Sequence, residues 1–166
     1  MGNHTMILRK FRSEFNSFRD VYLFFQILLI ITLLPILFRL LSLPGLIKKF
    51  TPRSVKYQEN ASLKKTTDKI VKFIDFILKR DFGRYKENTC LKRSLVLYYY
   101  LRKHGIDVHI CFGVKYDDKA TNTEEKNRLI GHAWLLYNGN ILLEKNAAET
   151  KTYKVTYSFP EDENKV

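Results

Sequence analysis

The chain has 166 residues, 45% of them hydrophobic and 28% charged, which suits one folded domain with a real core and excludes a disordered chain. Its formal net charge of +12 suits an anionic membrane, nucleic acid or an acidic peptide equally well, so charge alone does not choose a partner. The two cysteines, Cys90 and Cys111, are too few for a disulfide scaffold. With the four histidines they form no CxxC or HExxH spacing, so neither a metal nor another cofactor is expected.

Residues 1–20 carry Arg9, Lys10, Arg12 and Arg19 among Phe11, Phe15 and Phe18 and read as a short basic amphipathic lead-in. Met1-Gly2 lacks the Ser or Thr at position six that myristoylation requires, since Met6 stands there. From Val21 to Phe38 no residue is charged, and Leu40, Leu41 and Leu43 extend the run past Arg39. At ~1.5 Å per residue the uncharged stretch spans about 27 Å, near the ~30 Å of a bilayer core. Residues 21–47 are therefore expected to be a hydrophobic helix, with 21–43 spanning or entering a membrane. The competing expectation is a helical arm folded over the domain and broken near Pro35 or Pro44. No small-residue cleavage site follows, which argues against a removed signal peptide.

Lys48, Lys49, Arg53 and Lys56 come next in a basic linker, 48–61. They are denser than the basic residues before Val21, so the positive-inside rule puts the following domain, 62–159, on the cytoplasmic side of the cell membrane. In that reducing setting a Cys90–Cys111 disulfide ranks below free thiols. Ser62 is a natural cap for a helix whose apolar face is Leu63, Thr67, Ile70, Ile74, Ile77 and Leu78, closed by Asp81-Phe82-Gly83. The lysines of that helix form a solvated face.

A second helix starts at Asn88 or Thr89, presents Leu91, Leu95, Tyr98 and Leu101 to the core, and ends at Gly105. Cys90 falls in its first turn. Unpaired backbone N–H groups and the helix dipole favour an anion there, so a thiolate, the nucleophilic form of cysteine, is stabilised. Beyond Gly105 the apolar period changes from about 3.6 to 2. Val108, Ile110, Phe112 and Val114 alternate with His109, Cys111 and Gly113 as a strand. Residues 116–128 are charged and form a loop. Leu129–Leu136 and Asn140–Lys145 make a hairpin about Asn138-Gly139, Lys151–Phe159 adds a last strand, and 160–166 is a tail.

A nucleophilic thiol needs a base and a group that fixes the base's tautomer. His104 is at the far end of the cysteine's own helix, about 20 Å away at ~1.5 Å per residue. His4 belongs to the lead-in, and His109 lies on the polar alternation of its strand. His132, between Gly131 and Ala133 and followed by Trp134, remains. A three-residue hairpin loop pairs Leu136 with Asn140 and sets Glu144 opposite His132. A two-residue turn slips the register by one and turns Glu144 to the other face. Asn146 shares Glu144's parity and is the reserve orienter.

Cys90-Leu91-Lys92-Arg93-Ser94, the exit Leu101-Arg102-Lys103-His104-Gly105, Phe112-Gly113-Val114 and Gly131-His132-Ala133-Trp134 followed by Asn138-Gly139 together resemble the leader peptidases of lasso-peptide biosynthesis. These microcin-processing proteins are a bacterial branch of the transglutaminase-like cysteine proteases. The resemblance covers roughly residues 60–150. It implies an α+β fold with a transglutaminase- or papain-like core, a cysteine-bearing helix on a small antiparallel sheet behind the hydrophobic N-terminal arm. It also implies Cys90, His132 and Glu144 as catalytic residues, although the family's acid is usually aspartate. By the same resemblance the substrate is a ribosomally made precursor peptide, cut between leader and core, with a separate leader-binding protein and a cyclase as partners. The same fold serves acyl transfer in transglutaminases, and a third reading is a membrane-tethered peptide-binding domain without catalysis. Nucleic acid is not expected, since the basic residues are spread over every segment and no RNA- or DNA-binding motif accompanies them.

Overall fold

A computed structural model of the chain describes residue 15 and residues 17–52, 61–79, 89–117 and 128–160. The basic lead-in, most of the linker, the Asp81-Phe82-Gly83 helix stop, the centre of the charged loop and the end of the tail lie outside the described residues. Among the described residues five helices and four strands follow in order: α1 (Phe18–Leu40), α2 (Leu43–Phe50), α3 (Ala61–Lys79), α4 (Thr89–Lys103), β1 (His109–Tyr116), β2 (Leu129–Tyr137), β3 (Asn140–Leu142), α5 (Ala147–Thr150) and β4 (Lys154–Phe159). The strands form one antiparallel sheet in the order β3-β2-β1-β4. The architecture is α+β, as the resemblance implied.

Helix α4 is the centre of the molecule. One buried face was expected, yet Ser94 to Tyr98, Tyr100 and Leu101 are all buried, because α3 covers one side of the helix, the sheet another, and α1 and α2 a third. The helix closes at Gly105, which takes the left-handed conformation (φ 81°) that a residue without Cβ adopts freely. The amides of Ile106 and Gly105 fold back onto the carbonyls of Leu101 and Arg102 at 3.0 and 2.9 Å, the double closure that satisfies the last carbonyls of a helix. The adjoining core joins Ile70, Phe73 and Ile74 of α3 to Leu95, Leu97 and Leu101 of α4 and to Ile110 and Leu135 of the sheet.

Helix α1 runs through Pro35 without ending and stops at Leu40, where the Leu41 amide still reaches the Leu37 carbonyl at 2.9 Å. Among the described residues it is the one helix long and apolar enough to cross a membrane. Thr32 hides its hydroxyl on the carbonyls of Leu28 and Leu29, at 3.0 and 2.9 Å. One side of α1 packs on the domain. Ile27, Ile31 and Leu34 are buried, Phe24 meets Phe73 and Phe76 edge-on, and Asp20 pairs with Lys69 of α3 at 2.8 Å. The chain then breaks at Leu41-Ser42. Pro44 stands near the start of α2, where its missing N–H leaves no intrahelical bond unmade.

Two details of the sheet differ from the expected strands. The last strand begins at Lys154 rather than Lys151, because Asn146 caps the short helix α5 over Ala147–Thr150. The returning hairpin strand stops at Leu142 rather than Lys145.

Candidate functional site

The spacing Cys90, Arg93, Ser94 is i, i+3, i+4, which puts all three side chains on one side of α4, and each meets the β2–β3 hairpin. The Ser94 hydroxyl is buried and donates to the Ala133 carbonyl at 2.8 Å. The Cys90 thiol is hydrogen-bonded to His132 and accepts from the backbone N–H groups of Ala133 and Leu91. Arg93 reaches Glu144 at 3.6 Å and, through Nε, Asp75 of α3 at 2.8 Å. One turn of helix thus grips the strand that carries the imidazole and the segment that carries the carboxylate.

His132 stands on β2 opposite Gly113 of β1. A Cβ at Gly113 would lie 2.8 Å from the Trp134 ring and 2.7 Å from the Lys154 carbonyl, so the missing side chain is what lets the indole and β4 close in. The bulge in the β1–β4 ladder beside Phe112 and Gly113 belongs to the same close approach. Trp134 stacks on His132 at 5.9 Å between centroids, and Tyr153 covers the imidazole at 5.1 Å. Sequence reasoning did not find Tyr153. Its signal was only an aromatic within the expected last strand, Lys151–Phe159. The Lys115 ammonium sits over the Tyr153 ring, 4.7 Å from its centre, and pairs with Glu149 at 3.3 Å.

Glu144 Oε2 lies 3.4 Å from His132 Nε2, which leaves the other ring nitrogen for the thiol. This contact arises by a route that the expected registers did not contain. Leu135 pairs with Leu142, Leu136 with Ile141 and Tyr137 with Asn140, so the hairpin has the two-residue turn. Asn138 and Gly139 both take positive φ (49° and 75°), as a type I′ turn demands. Continued as a strand, that ladder sets Lys145 opposite His132 and turns Glu144 away. Instead Leu143 adopts φ 57°, which ends the ladder and reverses the alternation, so Glu144 swings back to the imidazole. The expectation that a two-residue turn removes Glu144 is therefore corrected. A left-handed leucine is unfavourable by about 1–2 kcal/mol, and strain of this kind concentrates at functional sites. Asn146, the reserve orienter, instead caps α5. Its Oδ1 accepts from the Glu149 amide at 3.2 Å and its Nδ2 donates to the Glu149 carboxylate at 3.1 Å.

The electrostatics follow from these contacts. Burial pushes the Cys90 thiol up, but the hydrogen bond to His132, the Ala133 amide, the imidazolium charge and the Leu91 amide outweigh it and leave the pKa below its ordinary value. The bond to Cys90, then the bond to Glu144, raise the His132 pKa to about 9 against the opposing effect of burial. Between the two values the pair exists as thiolate and imidazolium, the reactive form of a nucleophilic cysteine. Both cysteines are free, and Cys111 is buried. His104 lies at the far end of α4 beside a pocket of about 640 Å³ that is remote from this chemistry. Among the described residues no group of His, Cys, Asp and Glu forms a metal cage.

No curated protein and no solved structure matches the chain. The family model described as the transglutaminase-like superfamily matches residues 31–158. That span takes in Cys90, His132 and Glu144 as well as the second half of α1. By this match the chain belongs to the transglutaminase-like superfamily.

Proposed function

We propose that the protein is a membrane-attached cysteine peptidase that removes the leader from a ribosomally made precursor peptide, as in lasso-peptide maturation. The observation that carries the chemistry is the unbroken chain of contacts from the Cys90 thiol to His132 and on to Glu144. In the proposed cycle the Cys90 thiolate attacks the carbonyl carbon of the scissile peptide bond. The Cys90 backbone N–H and a neighbouring amide receive the oxyanion. His132 gives its proton to the leaving amine, the C–N bond breaks and a thioester remains. Water then adds to the thioester, its proton passes to His132, and the thiolate departs with the leader released as a free acid.

Hydrolysis, rather than transfer to an amine, is the reading that the resemblance to leader peptidases supports. The His132 side chain is 20% exposed, so water can reach the base. The lasso-peptide assignment rests on the Cys-Leu-Lys-Arg-Ser and Gly-His-Ala-Trp blocks, the first of which supplies Cys90, Arg93 and Ser94 to one face of α4. In this reading a separate leader-binding protein delivers the precursor, a cyclase takes the freed core, and the domain works on the cytoplasmic side of the cell membrane, held there through residues 21–43.

The test is mass spectrometry of a cognate precursor incubated with the full-length chain and its leader-binding partner. The expected product is a leader ending in a free carboxylate, lost in Cys90→Ala with an unchanged circular dichroism spectrum. A leader joined to an amine would assign acyl transfer instead. Full activity in Cys90→Ala would overturn the cysteine mechanism altogether.

A further inference from the structure

We infer that α1 lies flat in the surface of an acidic bilayer, with its outer apolar stripe immersed, and does not cross the membrane. The inference rests on the membrane attachment proposed above and fixes its geometry. Phe18, Tyr22, Phe25, Leu29, Ile36 and Leu40 recur every three or four residues, or their multiple, along the whole helix and are between 54% and 94% exposed. The opposite side is committed to the domain through Ile27, Ile31 and Leu34 and through the Asp20–Lys69 ion pair. A crossing helix would therefore have to take its packing partners into the hydrocarbon with it. Helix α3 carries exposed Lys64, Lys65, Asp68 and Lys72, which the bilayer core rejects. An interfacial helix meets no such obstacle, because only its outer face enters the boundary of headgroups and acyl chains.

Charge selects the occupant of the stripe. At the N-terminal end Arg19, Lys65 and Lys103 border the 640 Å³ pocket that Tyr22 shares with the stripe. At the other end Arg39, Lys48 and Lys49 are exposed. Cations at both ends of an apolar stripe match an acidic lipid surface. A second copy of the chain would bring the same positive clusters face to face. Thr32, the polar position within the stripe, gives its hydroxyl proton to the Leu28 and Leu29 carbonyls of its own helix rather than to a partner helix.

The full-length protein is tested by flotation with vesicles of phosphatidylcholine alone or mixed with phosphatidylglycerol. At least tenfold stronger binding to the acidic vesicles is expected, falling at least tenfold in Phe25→Glu with Leu29→Glu. Lys48→Ala and Lys49→Ala, which leave the apolar stripe intact, should each cost about fivefold. Thermal melting checks that these exposed substitutions leave the fold in place. In cells, alkaline carbonate should release the chain, and an epitope placed before Met1 should lie on the same side as the domain. Resistance to carbonate with the epitope on the far side would overturn the flat geometry while leaving membrane attachment standing. Failure to bind either vesicle would remove membrane attachment itself, and dimers lost in the stripe variants without any change in lipid binding would assign the stripe to a second copy. None of these outcomes touches the Cys90 chemistry, which is read separately from precursor cleavage.

Discussion

The two ends of α4 carry the same kinds of group in opposite circumstances. At the first turn His132 meets a thiol and a carboxylate, and its pKa rises to about 9. Past the last turn His104 is also half-buried, but burial and then the neighbouring Lys103 charge hold its pKa below the ordinary value. Burial alone thus makes a poor base, and partners decide the sign. Hydroxyls repeat the contrast. Ser94 near the first turn is satisfied by Ala133, whereas Tyr100 toward the other end has a buried hydroxyl with no hydrogen-bond partner among the described residues. One end of the helix is built for chemistry, while the other is a charged edge facing α1.

The sharpest way to break this comparison is to remove each imidazole in turn. His132→Ala should lower kcat/KM for precursor cleavage by about 10²–10⁴, the usual contribution of a positioned acid–base group. His104→Gln should leave it within about twofold, since a surface change away from the site has little to act on. Equal losses would refute the division of labour between the ends.

A smaller loss should follow Arg93→Met. The guanidinium holds Glu144 from the side opposite His132 and is itself anchored by Asp75, so its removal lets the carboxylate drift. A drop of about 10–100-fold in kcat is expected from a misplacement of this order, with KM little changed. A large rise in KM with constant kcat would instead assign Arg93 to substrate binding.

How much of this was legible depends on which interactions are local. The cysteine in a first turn, the glycine stop at Gly105, the Asn-Gly turn and the β2 position of His132 all follow from nearest neighbours in sequence, and the structure has each of them. The register was legible only as two alternatives. The left-handed Leu143 that reconciles the two-residue turn with the Glu144–His132 contact has no sequence signal, since leucine neither favours nor requires that conformation. Tyr153 was missed for a related reason. Its place over the imidazole depends on α5 and the bulged β4, whose arrangement is a tertiary property. The apolar run 21–43 was legible as a helix that either enters a membrane or folds over the domain, but which of its residues pack on α3 and α4 was visible only once the partners were folded.

The pH dependence sharpens the contrast further. Cleavage should hold a plateau bounded on the acid side by the lowered Cys90 pKa and on the alkaline side near 9, where His132 loses its proton. Glu144→Gln removes a negative partner of the imidazolium, so the alkaline limb should move to lower pH. For stability the sign is the same for His132. Its folded pKa lies above the unfolded 6.5, so its contribution is full below about pH 6.5 and lost as pH rises through about 9. Cys90 runs the other way, contributing above its ordinary 9.0 and losing that contribution as pH falls through its lowered folded value. An alkaline limb unmoved by Glu144→Gln would mean that the carboxylate does not feel the imidazole charge.

The smallest effects test the two hydroxyls. Ser94→Ala leaves the buried Ala133 carbonyl without its donor and should destabilise the fold by about 1–3 kcal/mol in denaturant unfolding, whereas Tyr100→Phe deletes a hydroxyl that has no partner among the described residues and should be neutral or stabilising by about 1 kcal/mol. The first substitution reaches the chemistry as well. Ala133, whose carbonyl Ser94 holds, is also the residue whose N–H donates to the Cys90 thiol. Loosening it weakens that donor, so the pH at which Cys90 reacts with iodoacetamide should rise in Ser94→Ala and stay fixed in Tyr100→Phe. If both variants shifted alike, α4 would be responding as one body, and the difference between its ends would not come from the Ser94 bond to Ala133.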